Sequence, residues 1–408
     1  MHYLLIIILA IVCADFLLGR LLDYLNNTHI KKELPSAAHG IYDENKYHKF
    51  LQYYRARNGF SQITSIFGFI ITAILLVSGA FGALDEWLRT FTENPIWLAI
   101  LFFGVIGLAS DIISTPFSVY STFVIEEKFG FNKTTVRTFI ADKLKAYVLA
   151  ALVGGGLLAL LTWIYLSTGT LFWLLAWGTL TLVMIFITAF YTSVLLPVFN
   201  KLKPLPEGEL RSAIEEYARK NDFRLDDIYV MDGSKRTSRA NAFFSGLGKR
   251  KKIVLFDTLI EKHTVPELVA VLAHETGHFK LKHTRTGLFA GILQSGIMFY
   301  LLGSLLGNPD LTLAMGGTEP AFHLDLLAFG LLYSPVSLLL GIFMNMLSRK
   351  HEYEADRFAS STYDGQELAS ALKKLSVDNL SNLNPHPAYV FVHYSHPPLL
   401  SRLAALKK

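Results

Sequence analysis

Seven stretches of this chain are apolar and long enough to cross the roughly 30 Å of hydrocarbon in a bilayer, and this limits the fold more than any other feature. They run near 3–22, 62–84, 96–118, 146–166, 171–197, 286–306 and 324–347. Lipid offers no partner to a free peptide group, so each run must form a helix. The predicted fold class is therefore an all-α polytopic membrane protein of about seven transmembrane helices. Composition agrees, with 52% hydrophobic and 17% charged residues against about 25% charged in soluble domains. The first run, Tyr3 to Leu18, follows almost no positive charge and lacks a small-residue cleavage site. It reads as a retained helix rather than a removed signal peptide. Asp15 and Asp111 lie within runs, where an ionisable group is costly and tends to face a cavity or a partner.

The loops give an orientation. The loop between the first two runs holds seven Lys and Arg, from Arg20 to Arg57, and the 119–145 loop holds five. The 85–95 loop has Arg89 alone, and the 167–170 and 307–323 loops have none. This alternation predicts an N-terminus outside and a C-terminus in the cytoplasm. The net charge of +5 is spread over these loops rather than gathered in one tract. A lipid bilayer is thus an expected partner and nucleic acid is not.

Four segments follow. Helices one to five and their loops fill 1–198, an extramembrane segment fills 199–285, and helices six and seven fill 286–347. A C-terminal helical segment, 348–408, returns to the cytoplasmic side. In the second segment "EGELRSAIEEYARKND" puts Leu210, Ile214 and Tyr217 on one helical stripe. "DIYVM", "NAFFSG" and "KKIVLF" read as short strands between Gly and basic turns. The expectation is a small α+β domain hung on the membrane helices.

Chemistry enters with "HTVPELVAVLAHETGHFKLKH". Thr264 and Glu267 form a capping box and Pro266 suits a first turn, so a helix should start here. On it His274 and His278 are one turn apart and project from one face, fit for two corners of a tetrahedral zinc site. Glu275 lies beside them, placed to hold a water and accept its proton. Cys13 is the single cysteine, which excludes a disulfide framework and a cysteine-based metal site.

A catalytic zinc needs a third protein ligand and an open fourth position. In "NMLSRKHEYEADRFA", read as a helix continuing from the seventh run, Asn345, Arg349, Glu352 and Asp356 fall on one polar stripe. Glu352 is the expected ligand, with His351 competing from off the stripe. Asp356, Asn345 and Arg349 are candidates to back and orient the ligands. Glu354 points away from the stripe and reads as solvated, with no expected effect on metal binding.

"HETGH" followed by "SRKHEYEAD" resembles the type I CAAX prenyl endopeptidases, integral-membrane zinc metalloproteases of the gluzincin kind. "PFSVYSTFVIEEKFGFNKTT" (116–135), "RANAFFSG" (239–246) and "HYSHPPLLSRL" (393–403) are also similar to segments of that family. The resemblance implies one Zn2+ per chain on His274, His278 and Glu352, with Glu275 as general base. It also implies a ring of helices around a water-accessible chamber, with zinc near its cytoplasmic end. The implied substrate is a peptide or protein with a C-terminal CAAX sequence, prenylated.

Two further roles can be argued on physical grounds. A tetrahedral intermediate carries an oxyanion that needs a donor. His396 in "SHPP" suits that role, its ring steadied by two prolines, and the resemblance points to the same residue. His386 and His393 are weaker candidates. A strand with a free edge can pair with an extended peptide, which makes Asn241, Ala242 and Phe243 candidate substrate contacts.

The compact chain has no long luminal insert and no ER-retention signal at "LAALKK". A bacterial-type member is therefore the expectation, which would lie in the inner membrane; a eukaryotic member would lie in the ER membrane. Many bacteria lack prenylated CAAX proteins, so the alternative reading is a membrane quality-control protease without a prenyl requirement. A transporter or lipid-binding protein would explain the spans but not a set of ligands, base and backing residue.

Overall fold

The computed structural model describes residues 2–222, 225–245 and 251–407. Helix α1 (Tyr3–His29) is followed by α2 (Glu44–Val77), which starts where Asp43 accepts from the Lys46 amide. Gly79, at φ 68°, turns the chain into the amphipathic α3 (Ala80–Arg89). The 62–84 run is therefore not one span, because a left-handed residue ends its helix. Asn94 caps α4 (Pro95–Tyr120) with Pro95 in the first turn, where a missing N–H costs nothing. Then come α5 (Val136–Leu149), α6 (Gly156–Thr168), α7 (Phe172–Phe190) and the single turn α8 (Leu196–Phe199). Wider π-type winding continues three of these helices, at Ser121–Glu126, Ala150–Gly155 and Tyr191–Leu195.

Next is the small domain. It comprises β1 (Leu202–Pro204), α9 (Glu209–Lys220), β2 (Leu225–Met231), β3 (Ala242–Ser245), β4 (Lys251–Phe256), α10 (Asp257–Ile260) and α11 (Val265–Lys280). The chain returns to the bilayer through α12 (His283–Leu305), then α13 (Pro309–Ala314), α14 (Phe322–Leu332) and α15 (Ser334–Thr362). It ends with α16 (Gly365–Asp378), α17 (Pro387–His393) and α18 (Leu399–Leu406).

Among the described residues, five helical stretches are long and apolar enough to cross a membrane, and α14 with α15, bent by 54° at Tyr333, makes a sixth. One of the five, Val136–Phe199, has 64 residues. As a single rod it would reach about 96 Å, far beyond a bilayer. It breaks at Gly169 (φ 55°, ψ −119°), where Tyr165 of α6 packs edge-on against Phe172 of α7 at 5.6 Å. All seven expected runs are thus helical, with 62–84 and 324–347 broken.

Burial along these helices is uneven. The buried residues of α1 are Leu5, Ile8, Leu22 and Asn26, and those of α2 are Tyr47, Phe50, Leu51, Tyr53 and Leu76. In α4 they are Leu98, Ala99 and Phe102, all near its start. In α1 and α2 the buried residues lie towards the two ends, and in α4 towards the start alone. Ionisable groups in the spans find partners: Asp111 of α4 pairs with Lys143 of α5 at 2.6 Å, and Asp15 of α1 accepts from Ser334 of α15.

The sheet runs β1-β2-β4-β3, parallel between β2 and β4 and antiparallel elsewhere. The three expected strands are present, with β1 added as an edge. Ile214 and Tyr217 of α9, Ile228, Ile253 and Leu255 of the sheet, and Leu268, Val269 and Leu272 of α11 share one core with Ala359 of α15. The expected capping box is present at Thr264 and Glu267. Burial pushes the Glu267 carboxyl up, but Lys374, Ser370 and the Thr264 amide hold it down to about 2. Helix α11 is thereby pinned to α16 by an ion pair.

Candidate active site

Helix α11 buries most of its surface and crosses α15 at closest range where Gly277 meets Ala355. A Cβ on Gly277 would lie 3.0 Å from the Ala355 Cα and 3.1 Å from the Phe358 Cβ. This close approach carries the α11 histidines to the α15 carboxylates. One ligand atom from each of His274, His278 and Glu352 falls in a group within 4.8 Å. The two Nε2 atoms are 3.2 Å apart. Glu352 Oε1 lies 3.4 Å from His278 Nε2, and Oε2 lies 3.5 Å from His274 Nε2. Oε2 is buried and makes no hydrogen bond, with the Arg402 guanidinium 3.3 Å away. Two imidazole nitrogens and a buried carboxylate around one point form a donor set that suits zinc.

Electrostatics point the same way. His274 Nδ1 donates to Asp356 at 2.8 Å, leaving Nε2 free to face the cluster. Burial would push the His274 imidazole down, yet Asp356 and Glu352 raise it to about 9. Positive charge is favoured at this ring, whether a proton or a metal ion. Burial, with Glu352 adding to it, pushes the Glu275 carboxyl up against the pull of His274 and His278, which makes it a better proton acceptor.

Arg402 of α18 was not singled out from the sequence. It is 8% exposed, donates to both Asp356 oxygens at 2.6 and 2.8 Å, and lies 3.3 Å from Glu352. The signal that could have found it is a lone cation in the apolar helix "LLSRLAAL". Arg402→Met should destabilise the metal-free protein by about 3–5 kcal/mol, because two buried carboxylates lose their counter-charge. An unchanged melting temperature after metal removal would show that another cation serves them.

Glu275 and His278 line a cleft of about 550 Å³ with Tyr191, Met344, Leu347 and His351. His396 stands on the other side, its Nε2 3.2 Å from Glu352 Oε1 and its side chain 64% exposed. It opens into a polar cleft of about 860 Å³ that Asn241 also lines. Strand β3 is the sheet edge. Ala242 pairs with Leu255 and Phe243 with Val254, and the Asn241 side chain accepts from the Ala242 amide. The Gly246 that ends the "NAFFSG" stretch lies outside the described residues.

Two expectations need correction. Asn345 and Arg349 do not back the ligands; Asn345 donates to the Val392 carbonyl at 2.8 Å, and Arg349 donates to Val390 and Tyr394. They tie the end of α17, and so the His396 loop, to α15. Glu354 is not free in solvent but lies 3.0 Å from His283. A residue on the side of α15 away from the stripe can still meet a neighbouring helix, here the start of α12. His386 caps α17 and meets His29 edge-on at 5.3 Å.

A family model described as CAAX prenyl protease N-terminal, five membrane helices, matches residues 24–201, and one described as peptidase family M48 matches residues 204–408. The chain belongs to peptidase family M48. It is a multi-pass membrane metallopeptidase. The CAAX prenyl protease 1 homolog of Homo sapiens is 33% identical over 430 residues, covering 94% of this chain and 90% of that protein. CAAX prenyl protease 1 of Saccharomyces cerevisiae is 33% identical over 400 residues, covering 92% and 88%. The crystal structure of S. mikatae Ste24p matches with a TM-score of 0.94 at 32% identity and covers 100% of each chain. These M48 relatives of human and yeast origin lend no support to a bacterial-type member.

Proposed function

We propose that this peptidase is a zinc endopeptidase that cuts C-terminally prenylated CAAX peptides on the cytoplasmic side of its membrane. The observation that carries the reading is the convergence of His274, His278 and Glu352 beside Glu275, with His396 facing them. His274, His278 and Glu352 would hold the ion. Zinc, when bound, polarises a carbonyl and lets water ionise near neutral pH. Glu275 takes the proton from the attacking water and passes it to the leaving amine. His396 donates from Nε2 to the oxygen that gains charge. The β3 edge, with Ala242 and Phe243, offers backbone groups to an extended substrate, and Asn241 adds a side chain at its start. Asp356 keeps His274 in the Nδ1–H form.

The substrate class is supported by two adjoining cavities. The polar cleft at His396 includes Tyr53, Arg57, Asn58 and Ser61 of α2. From Phe60 onward the same helix lines an apolar cavity of about 910 Å³ with Ile113 and Phe117 of α4. A peptide end in the first and an isoprenoid in the second would suit one prenylated molecule. Purified protein should cleave a farnesylated CAAX peptide with kcat/KM at least about tenfold above its unmodified twin, since burying two methylene-sized groups is worth about 1.6 kcal/mol. Equal rates would sink the prenyl part and favour a protease of unmodified membrane proteins.

A further inference from the structure

The ligand histidines are not held alike. His274 has a carboxylate directly behind it, whereas His278 has another histidine. His278 Nδ1 lies 3.1 Å from His283 Nδ1, and His283 Nε2 lies 3.0 Å from Glu354 Oε2. A left-handed Lys282 (φ 63°) makes the tight turn from α11 into α12. That turn carries His283, at the start of α12, back against α11. His351 stacks on the His283 ring at 3.9 Å and 8°, which fixes the plane of that ring. His283 is buried and Glu354 is half-buried.

Proton positions follow from the order of contacts. The Nε2 of His278 faces Glu352 and His274, so a metal ion takes that lone pair and the ring proton must sit on Nδ1. That N–H can donate only if His283 Nδ1 is bare, which puts the His283 proton on Nε2, aimed at Glu354. We infer that Glu354 and His283 form a relay that orients His278 and fixes its tautomer as a metal ligand. The inference rests on His278 holding the metal. Partners behind a ligand commonly matter by 10–100-fold in metal affinity, and here the last of them sits 71 residues from His283 in sequence. His283 and Glu354 are positioning residues: neither needs to touch substrate.

Three of these side chains, His283, His351 and Glu354, also group within 4.8 Å as a set that could hold an ion of its own. The stacked rings argue against this. Two parallel imidazoles aim their lone pairs in separate planes and cannot both point at one ion without turning. Glu354 is moreover already engaged by His283.

The test measures the zinc dissociation constant of the full-length protein by chelator competition, with zinc content counted separately. His283→Ala should weaken zinc about 10–100-fold, and Glu354→Ala should weaken it less. Glu354→Gln should stay near wild type, because its amide oxygen still accepts from Nε2–H. Glu354→Ala on top of His283→Ala should add nothing, since both break one chain. Melting temperatures separate misfolding from ligand loss, and the half-exposed Glu354 gives a variant with little packing to lose. An unchanged zinc constant in both Glu354→Ala and His283→Ala overturns the relay. So does a second zinc equivalent that disappears with Glu354→Ala, because the three groups would then hold their own ion. His278→Ala retaining full zinc affinity would instead refute the ligand assignment itself.

Discussion

Glu275→Gln should keep one zinc per chain and lower kcat on a CAAX peptide by about 10²–10⁴-fold, the range that a positioned general base supplies. The substitution keeps shape and hydrogen-bonding length but removes the group that accepts a proton. It leaves His274, His278 and Glu352 in place, so metal content and affinity should match wild type. KM should change little, because Glu275 lines the cleft at the reacting end and not along the polar cleft where His396 and Asn241 lie. The measurement is paired: zinc stoichiometry on the same preparation used for kinetics. Cleavage near the wild-type rate with zinc present would remove Glu275 from the mechanism.

Glu352→Ala should do the reverse and lose zinc and activity together. Glu352 is the one member of the trio that comes from α15, and its buried Oε2 also faces Arg402 at 3.3 Å. Two histidines on one helix would remain, half of a tetrahedral site. The loss of affinity should exceed the 10–100-fold typical of a partner behind a ligand, and therefore exceed that of His283→Ala. His274→Ala should behave as Glu352→Ala does. Stoichiometric zinc with an unchanged dissociation constant in Glu352→Ala would mean that another group, such as His351, completes the set.

Much of this was legible because it is local. Apolar runs, a capping box at Thr264 and Glu267, two histidines one turn apart and a polar stripe on α15 are all written within a few turns of chain. Helical periodicity reports such patterns directly. The breaks at Gly79 and Tyr333 were missed, since hydropathy averaged over a window does not register one turning residue. The short β1 was missed for a related reason: three residues carry no period.

What stayed hidden is what joins distant segments. Arg402 reaches Asp356 across 46 residues and His283 reaches Glu354 across 71, and no spacing rule relates those positions. Asn345 and Arg349 shared the stripe with the acids, yet the packing of α17 turned them to backbone carbonyls.

The sequence by itself determined which elements form and which side chains each helix offers, because those depend on turns, caps and solubility in lipid. The tertiary structure decided which offers meet. The Gly277–Ala355 approach sets the distance between the histidines and Glu352, the turn at Lys282 sets what stands behind His278, and the docking of α18 sets the counter-charge. Such contacts arise from shape and close packing between helices, which are properties of pairs of segments and are not written in either one alone.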